Sequence, residues 1–508
     1  MTFPPVDRPT SAAAAAPAPG QGPGYAPTDP WAPAEPPAGR RRSRRGIVIA
    51  AAATGVVVFG GAGYAVASYL SGGGTQPEDV LPGDAFGLVK IDLDPSAGQK
   101  LELMSLLDKF PEIDIEGDDD VRGQLMESLL EGSGTDLDYG RDVQPWLGDR
   151  MAVAAVAAED AGGGVAPVLA LAVTDEARME ETLGRVQQDL GVGFAVRDDY
   201  VLITDTQERA DVFAAAEETL AEAADFAGDR EALGGDQVAI VWADLSALQG
   251  ILTDQGAAEA VPGGLLGGQD LTGRLILGVH AEDDALEMVG RDFSVSDIRV
   301  PAGEPTRLAQ DLPEDTLAAL SGAGLGDAAV AAWDQMAASG ALDGVEEPLA
   351  ELGIALPDDL RTMLGTDLVV AAFGDLDAPA LGARVVTEEP EAAAGVLDGL
   401  LSSSGAGIAP VYSFGERDYV VAVDGPTADA LVADGGLGDT EAFRAGVADP
   451  DTAGAIGYVD LGRVIDQLAG QGGETGAEAA KFSAVEALGF SATSTDEGSR
   501  IVLRITTR

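Results

Sequence analysis

The sequence predicts an α+β fold: two tandem copies of a mixed or antiparallel sheet with helices packed on it, preceded by a single transmembrane helix. Three observations predict it. Short motifs recur in the same order at a near-constant offset. Apolar runs of strand length alternate with tight Gly-rich turns and with stretches of helical periodicity. One uncharged run of 25 residues lies ahead of them all.

The repeat is the primary signal. Leu147-Gly148-Asp149-Arg150-Met151-Ala152-Val153 lines up with Leu364-Gly365-Thr366-Asp367-Leu368-Val369-Val370, an offset of 217. Asp198-Asp199-Tyr200-Val201 resembles Arg417-Asp418-Tyr419-Val420 at 219, and Trp242-Ala243-Asp244-Leu245 resembles Tyr458-Val459-Asp460-Leu461 at 216. Leu81-Pro82-Gly83-Asp84 resembles Leu312-Pro313-Glu314-Asp315 at 231. The drift fits insertions in surface loops, which cost little. It divides the body into repeat 1 at 81–300 and repeat 2 at 301–508.

Within repeat 1 a strand is expected from Phe86 to Leu93. Asp94-Pro95 then resembles an N-cap followed by proline at the first helical position. Met151–Ala157 and Pro167–Val173 read as a hairpin closed by a Gly-rich turn. Met179, Leu183 and Val186 fall at helical spacing. A strand around Tyr200–Ile203, a further helix, and the strand Val238–Trp242 follow. The hairpin Gly273–Val279 with Leu286–Asp292 closes the repeat, matched in repeat 2 by Ala487–Ser494 with Ser499–Thr506. Hairpins mixed with helices point to sheets with helices on one face, without the strict alternation of a doubly wound enzyme.

Residues 1–45 are expected to be a disordered, Pro-rich cytoplasmic tail ending in the basic cluster Arg40 to Arg45. Residues 46–70 are the expected transmembrane helix: 25 uncharged residues rise roughly 37 Å, against a hydrocarbon core of about 30 Å. The basic cluster on its N-terminal side places the N-terminus in the cytoplasm and the rest outside. Ala65-Val66-Ala67 resembles a signal-peptidase site, but some 45 residues precede the apolar run, and a retained anchor is the reading adopted. Residues 71–80 are the Gly-rich linker.

Charge excludes whole classes of function. Residues 1–75 hold three acids and six bases, so the body carries 83 acids against 24 bases. Such a surface repels nucleic acid, and no nucleic-acid partner is expected. The chain has no cysteine, which removes thiol nucleophiles and thiolate metal sites.

Catalytic motifs are missing. There is no phosphate-binding loop of the G-x-x-x-x-G-K-[ST] type and no G-x-S-x-G elbow. The one histidine, His280, is read as a structural residue near a strand end. The acidic run Asp114, Glu116, Asp118, Asp119, Asp120 lacks EF-hand spacing and reads as a solvated loop. Gly263–Gly268 and Gly322–Gly326 read as loops. Asp92, Asp244 and Asp460 each end an apolar strand before leucine or an apolar residue and are expected to cap helices. No catalytic, cofactor-binding or metal-ligating residue is assigned, and no cofactor.

Leu81-Pro82-x-Asp84, the stretch Ile91-Asp92-Leu93-Asp94-Pro95-Ser96 and the segment Lys109-Phe110-Pro111 resemble an actinobacterial membrane-anchored family known as the domain of unknown function 3352 family. The resemblance implies a cell-envelope protein without an assigned activity and carries over no site residue. The expected function is a non-enzymatic, extracytoplasmic binding or scaffolding body held at the cell membrane through residues 46–70. An envelope protein or an apolar ligand is the expected partner. Binding of a lipid or apolar ligand, or hydrolysis of an envelope polymer by paired carboxylates, are the alternatives.

Overall fold

In a computed structural model of the chain the described residues are 74–92, 96–110, 126, 130, 135, 137–158, 161, 164–254, 272–282, 284–293, 306–338, 342, 355–403, 409–433, 435–495 and 498–508. Repeat 1 contributes β1 (Ala85–Asp92), β2 (Leu147–Ala157), β3 (Val165–Val173), β4 (Gly193–Arg197), β5 (Tyr200–Thr204), β6 (Ala239–Asp244), β7 (Arg274–Glu282) and β8 (Ala285–Asp292). Repeat 2 contributes β9 (Thr316–Ala323), β10 (Asp367–Phe373), β11 (Ala380–Val386), β12 (Val411–Phe414), β13 (Asp418–Ala422), β14 (Ala455–Val459), β15 (Val485–Thr495) and β16 (Gly498–Thr507). The helices of repeat 1 are α1 (Ala97–Asp108), α2 (Glu176–Leu190), α3 (Gln207–Ala214), α4 (Ala224–Leu233) and α5 (Leu245–Asp254). Those of repeat 2 are α6 (Leu325–Ala338), α7 (Asp358–Leu364), α8 (Pro390–Ser403), α9 (Gly425–Val432), α10 (Glu441–Gly446), α11 (Leu461–Gly470) and α12 (Gly473–Ala480).

The expectation of two separate sheets is corrected. All 16 strands form one sheet, in the order β12-β13-β11-β10-β9-β14-β15-β16-β8-β7-β6-β1-β2-β3-β5-β4, and its pairings are antiparallel throughout. Read outward from the centre, both halves follow the same path. The last strands of the two repeats, β8 and β16, pair with each other. Each would otherwise present an edge of unpaired N–H and C=O groups, and joining them satisfies both. The transmembrane helix expected at 46–70 lies outside the described residues. Among the described residues no helix is long and apolar enough to cross a membrane.

The repeat offsets survive as pairing register. Leu88 on β1 faces Ala154 and Trp242. Its counterpart Ala319 on β9 faces Ala371 and Tyr458, the counterparts of those partners. Trp242 meets Phe226 of α4 edge-on at 5.4 Å, and Tyr458 meets Phe443 of α10 at 5.2 Å. The N–H of Leu220 donates to the carbonyl of Leu81, and that of Leu437 to Leu312, both at 2.9 Å.

Helices cover parts of both faces, not one as expected. In repeat 1, Leu88, Trp242 and Val168 pack under Phe213 and Phe226 of α3 and α4. On the opposite face Met151, Leu171 and Val201 pack under Met179 and Leu183 of α2. Helix α2 starts on Asp175, whose side chain accepts from the Arg178 N–H, and ends on Gly191 with φ 69°. Left-handed backbone of this kind favours glycine. Repeat 2 buries Ile456, Tyr458 and Val369 under Phe443 and Leu431, and Val385 with Tyr419 under Ala393 and Ala394 of α8.

One row of directly opposed residues on the second face runs through every strand. From β4 to β12 it reads Val196, Val201, Leu171, Met151, Ile91, Ala239, Val279, Met288, Leu503, Phe490, Gly457, Leu320, Val370, Ala383, Val421, Tyr412. None of these carries a charge. The alternating pleat places the row on a single face.

Several local expectations shift. Helix α1 is capped by Ser96, which accepts from the Gln99 N–H at 3.5 Å, while Asp94 and Pro95 lie outside the described residues. Asp244 caps α5 and Asp460 caps α11. Asp92 is buried and paired with Arg150 at 3.1 Å, and Ser96 takes the capping place at α1. Gly322, expected in a loop, lies within β9. The edge strands β4 and β12 were not expected. The runs 114–120 and 263–268 lie outside the described residues.

Candidate functional site

The seam between the repeats concentrates the unusual chemistry. Val289 on β8 faces Val502 on β16. Glu287 faces Arg504 on one side of that pair, and Arg291 faces Arg500 on the other. The two closing hairpins are related by 213 positions, which makes Glu287 the counterpart of Arg500 and Arg291 the counterpart of Arg504. The sheet is thus symmetric in backbone but not in charge.

On the Glu287 side an ion pair and a histidine meet. Arg504 Nε donates to Glu287 Oε2 in a close contact. Oε1 of the same carboxylate lies 3.6 Å from His280 Nε2. Glu282, two residues along β7 from His280, places Oε2 3.4 Å from the same nitrogen. Glu287 is buried and Glu282 is exposed. His280 Nδ1 is buried without a hydrogen-bond partner. The corresponding positions in repeat 2 are Thr493, Thr495 and Arg500.

On the other side two like charges oppose each other. Arg500 has a carboxylate partner, Asp449, at 2.9 Å. Arg291 Nε is buried without a hydrogen-bond partner. Burial, then the Arg500 charge, pull the Arg291 guanidinium below its usual range. Arg274 nearby is held by Asp229 at 2.7 Å, and Asp229 also accepts from Trp242 Nε1 at 2.8 Å.

Repeat 1 contains a buried polar group that repeat 2 lacks. Glu78 is fully buried and takes Lys90 at 3.0 Å and Arg230 at 3.1 Å on one oxygen. The matching positions in repeat 2 are Ala309, Ser321 and Val447. There a smaller chain remains: Ser321 and Thr306 hydroxyls lie 2.5 Å apart, and Thr306 donates to Asp367 at 2.8 Å. Burial pushes the Asp367 carboxyl up to about 6 despite that hydrogen bond.

A hollow of about 570 Å³ opens beside α11, lined by Asp460, Arg463, Asp466, Gln467, Glu486 and Arg508 among others. Arg508 holds Asp466 through two contacts at 2.9 and 2.7 Å and keeps its carboxyl below the usual range. Glu486 is displaced the other way, by burial and then by the Glu441 charge.

The sequence alone assigned no site residue and read His280 as structural. The structure brings His280 to Glu282 and Glu287, and brings Arg504 to them from 217 residues away. The i, i+2 spacing of His280 and Glu282 on one strand was a legible signal for that half of the cluster. Nothing local signals the contribution of β16.

No curated protein and no solved structure matches the chain. Residues 47–204, which end with β5 of repeat 1, match the profile of a family described as protein of unknown function (DUF3352).

Proposed function

We propose that the chain is a non-catalytic binding or scaffolding protein whose two-repeat body lies outside the cytoplasm, held at a membrane through residues 46–70. The location rests on the basic cluster before that apolar run and on the acidic surplus after it. The binding reading rests on one observation. In the uncharged row across the sheet, the directly paired Leu320 and Val370 are 61% and 48% exposed. Leu381 of β11 and Val423, which follows β13 and donates its N–H to the Leu381 carbonyl, are 46% and 50% exposed beside them. Contiguous exposed apolar surface on an acidic protein marks a contact site. The partner is expected to offer an apolar surface rimmed by positive charge.

Crosslinking in intact cells followed by capture of the full-length chain tests this. Capture should be lost in Leu320→Ser/Val370→Ser and retained in a control with exposed Leu101→Ser. Equal capture by both variants would refute it. A separate observation favours a second reading, hydrolysis of an envelope polymer. The hollow beside α11 places two carboxylates, Asp466 and Glu486, in one open recess with Arg463 and Arg508. Turnover of cell-wall polymer abolished by Glu486→Gln would support that reading over the first.

A further inference from the structure

We infer that His280, Glu282 and Glu287 bind one divalent transition-metal ion of the zinc class at the end of the β7–β8 hairpin. The three donor atoms lie within 4.8 Å of one another. Zinc bonds of about 2.0–2.2 Å in a tetrahedron place neighbouring ligand atoms about 3.4 Å apart. The His280 Nε2 separations from Glu282 and Glu287 are 3.4 and 3.6 Å, so little movement is needed to close around an ion. A water completes the four-coordinate shell.

The frame is rigid. His280 and Glu287 are direct cross-strand partners, and Glu282 projects on the same face two residues along. Glu287 is orientated by Arg504 through Oε2, which leaves Oε1 for the ion. A hydrogen-bonded carboxylate ligand of this kind is a usual part of a metal site. The cluster is not needed to build the hairpin, because repeat 2 forms the same hairpin with Thr493, Thr495 and Arg500 in these places. Two carboxylates against one guanidinium leave a local charge of −1 to attract a cation. Binding through Nε2 puts the imidazole proton on Nδ1, which has no acceptor. A metal-ligating imidazole without an acceptor for that proton binds more weakly than one that has it.

The cluster lies on the opposite face of the sheet from the Leu320–Val370 patch, so its test is independent of the binding reading. Chelator-stripped, untagged full-length chain is titrated with zinc by calorimetry in millimolar magnesium, which occupies the weak carboxylate sites of the surface. One zinc per chain is expected. His280→Ala should weaken it roughly 100-fold or more, since losing an outer hydrogen bond alone costs 10–100-fold. Glu282→Gln should weaken it measurably while leaving the melting midpoint of the metal-free protein unchanged. His280 is the sole histidine, so zinc should also protect it from diethyl pyrocarbonate, read as lost absorbance at the carbethoxy-imidazole band. Absence of zinc binding by the wild-type chain, or equal binding by folded His280→Ala, overturns the inference.

Discussion

Val289 and Val502 face each other across β8 and β16, 213 positions apart, and each is the other's counterpart within its own repeat. The local two-fold axis that relates the repeats therefore passes through this pair. Both side chains are buried, at 3% and 2% exposure, although they sit between two pairs of charged residues.

Because β8–β16 is the strand pair that joins the halves in the described sheet, truncation there should weaken the whole molecule. Val289→Ala is expected to cost about 2 kcal/mol, the usual range for deleting buried methyl groups with partial relaxation. Chemical denaturation should show a lower midpoint. A normal midpoint would mean that the seam does not limit stability.

Arg291 is a half-buried cation with another arginine opposite and its Nε buried and unsatisfied. Arg291→Met should raise stability by about 1 kcal/mol, because it removes the buried, unsatisfied Nε and the like charge opposite Arg500 while keeping an apolar stem. A lower melting midpoint for the variant would contradict this account.

In repeat 1, Lys90→Met leaves the fully buried Glu78 with Arg230 alone. A loss of about 3 kcal/mol is expected, as for other broken buried pairs. The double variant Glu78→Leu/Lys90→Met should recover most of it. Repeat 2 already shows the uncharged solution with Ala309 and Ser321. A double variant no better than the single one would show that the polar group supplies net stability.

Asp367 has a carboxyl raised to about 6 from 3.8. A raised carboxyl binds its proton more tightly in the folded state, so its favourable contribution is full below about pH 4. That contribution is lost as the pH rises through about 6. Asp367→Asn should therefore stabilise the protein at pH 7 by about 1 kcal/mol, a figure reduced for partial solvent access. It should also flatten the stability profile between pH 4 and 6. An unchanged profile would mean that Asp367 does not titrate there.

Gly148 and Gly365 occupy the same place in the Leu-Gly motif. A Cβ at Gly148 would sit 2.7 Å from the Ala172 Cβ, and at Gly365, with φ +64°, 2.1 Å from the Val386 carbonyl oxygen. Gly365→Ala should destabilise by about 2 kcal/mol or more, from strain and from φ together. A midpoint within error of wild type would show that the backbone can give way.

Much of the strand placement along the chain was legible. The offsets of 217, 216 and 231 between motifs reappear as matching register at Leu88 and Ala319, because register is set by which face each apolar residue must occupy. The short edge strands β4 and β12 carry too few residues to show a pattern. Val411–Phe414 is only four residues long, with both end residues exposed, and so shows little periodicity. Asp92 was expected to cap a helix, but a cap and a buried salt bridge draw on the same residue type, and only the position of Arg150 distinguishes them.

By itself the sequence determined the recurring motifs, the hairpins that close each half, and the acidic surplus of the body, since these follow from local patterning and from composition. Tertiary structure alone decided that the copies share one 16-stranded sheet, and that Arg504 reaches Glu287 beside His280. Those contacts join residues more than two hundred positions apart. No local periodicity specifies such pairs, and the demand that β8 and β16 satisfy their edge hydrogen bonds brings them together.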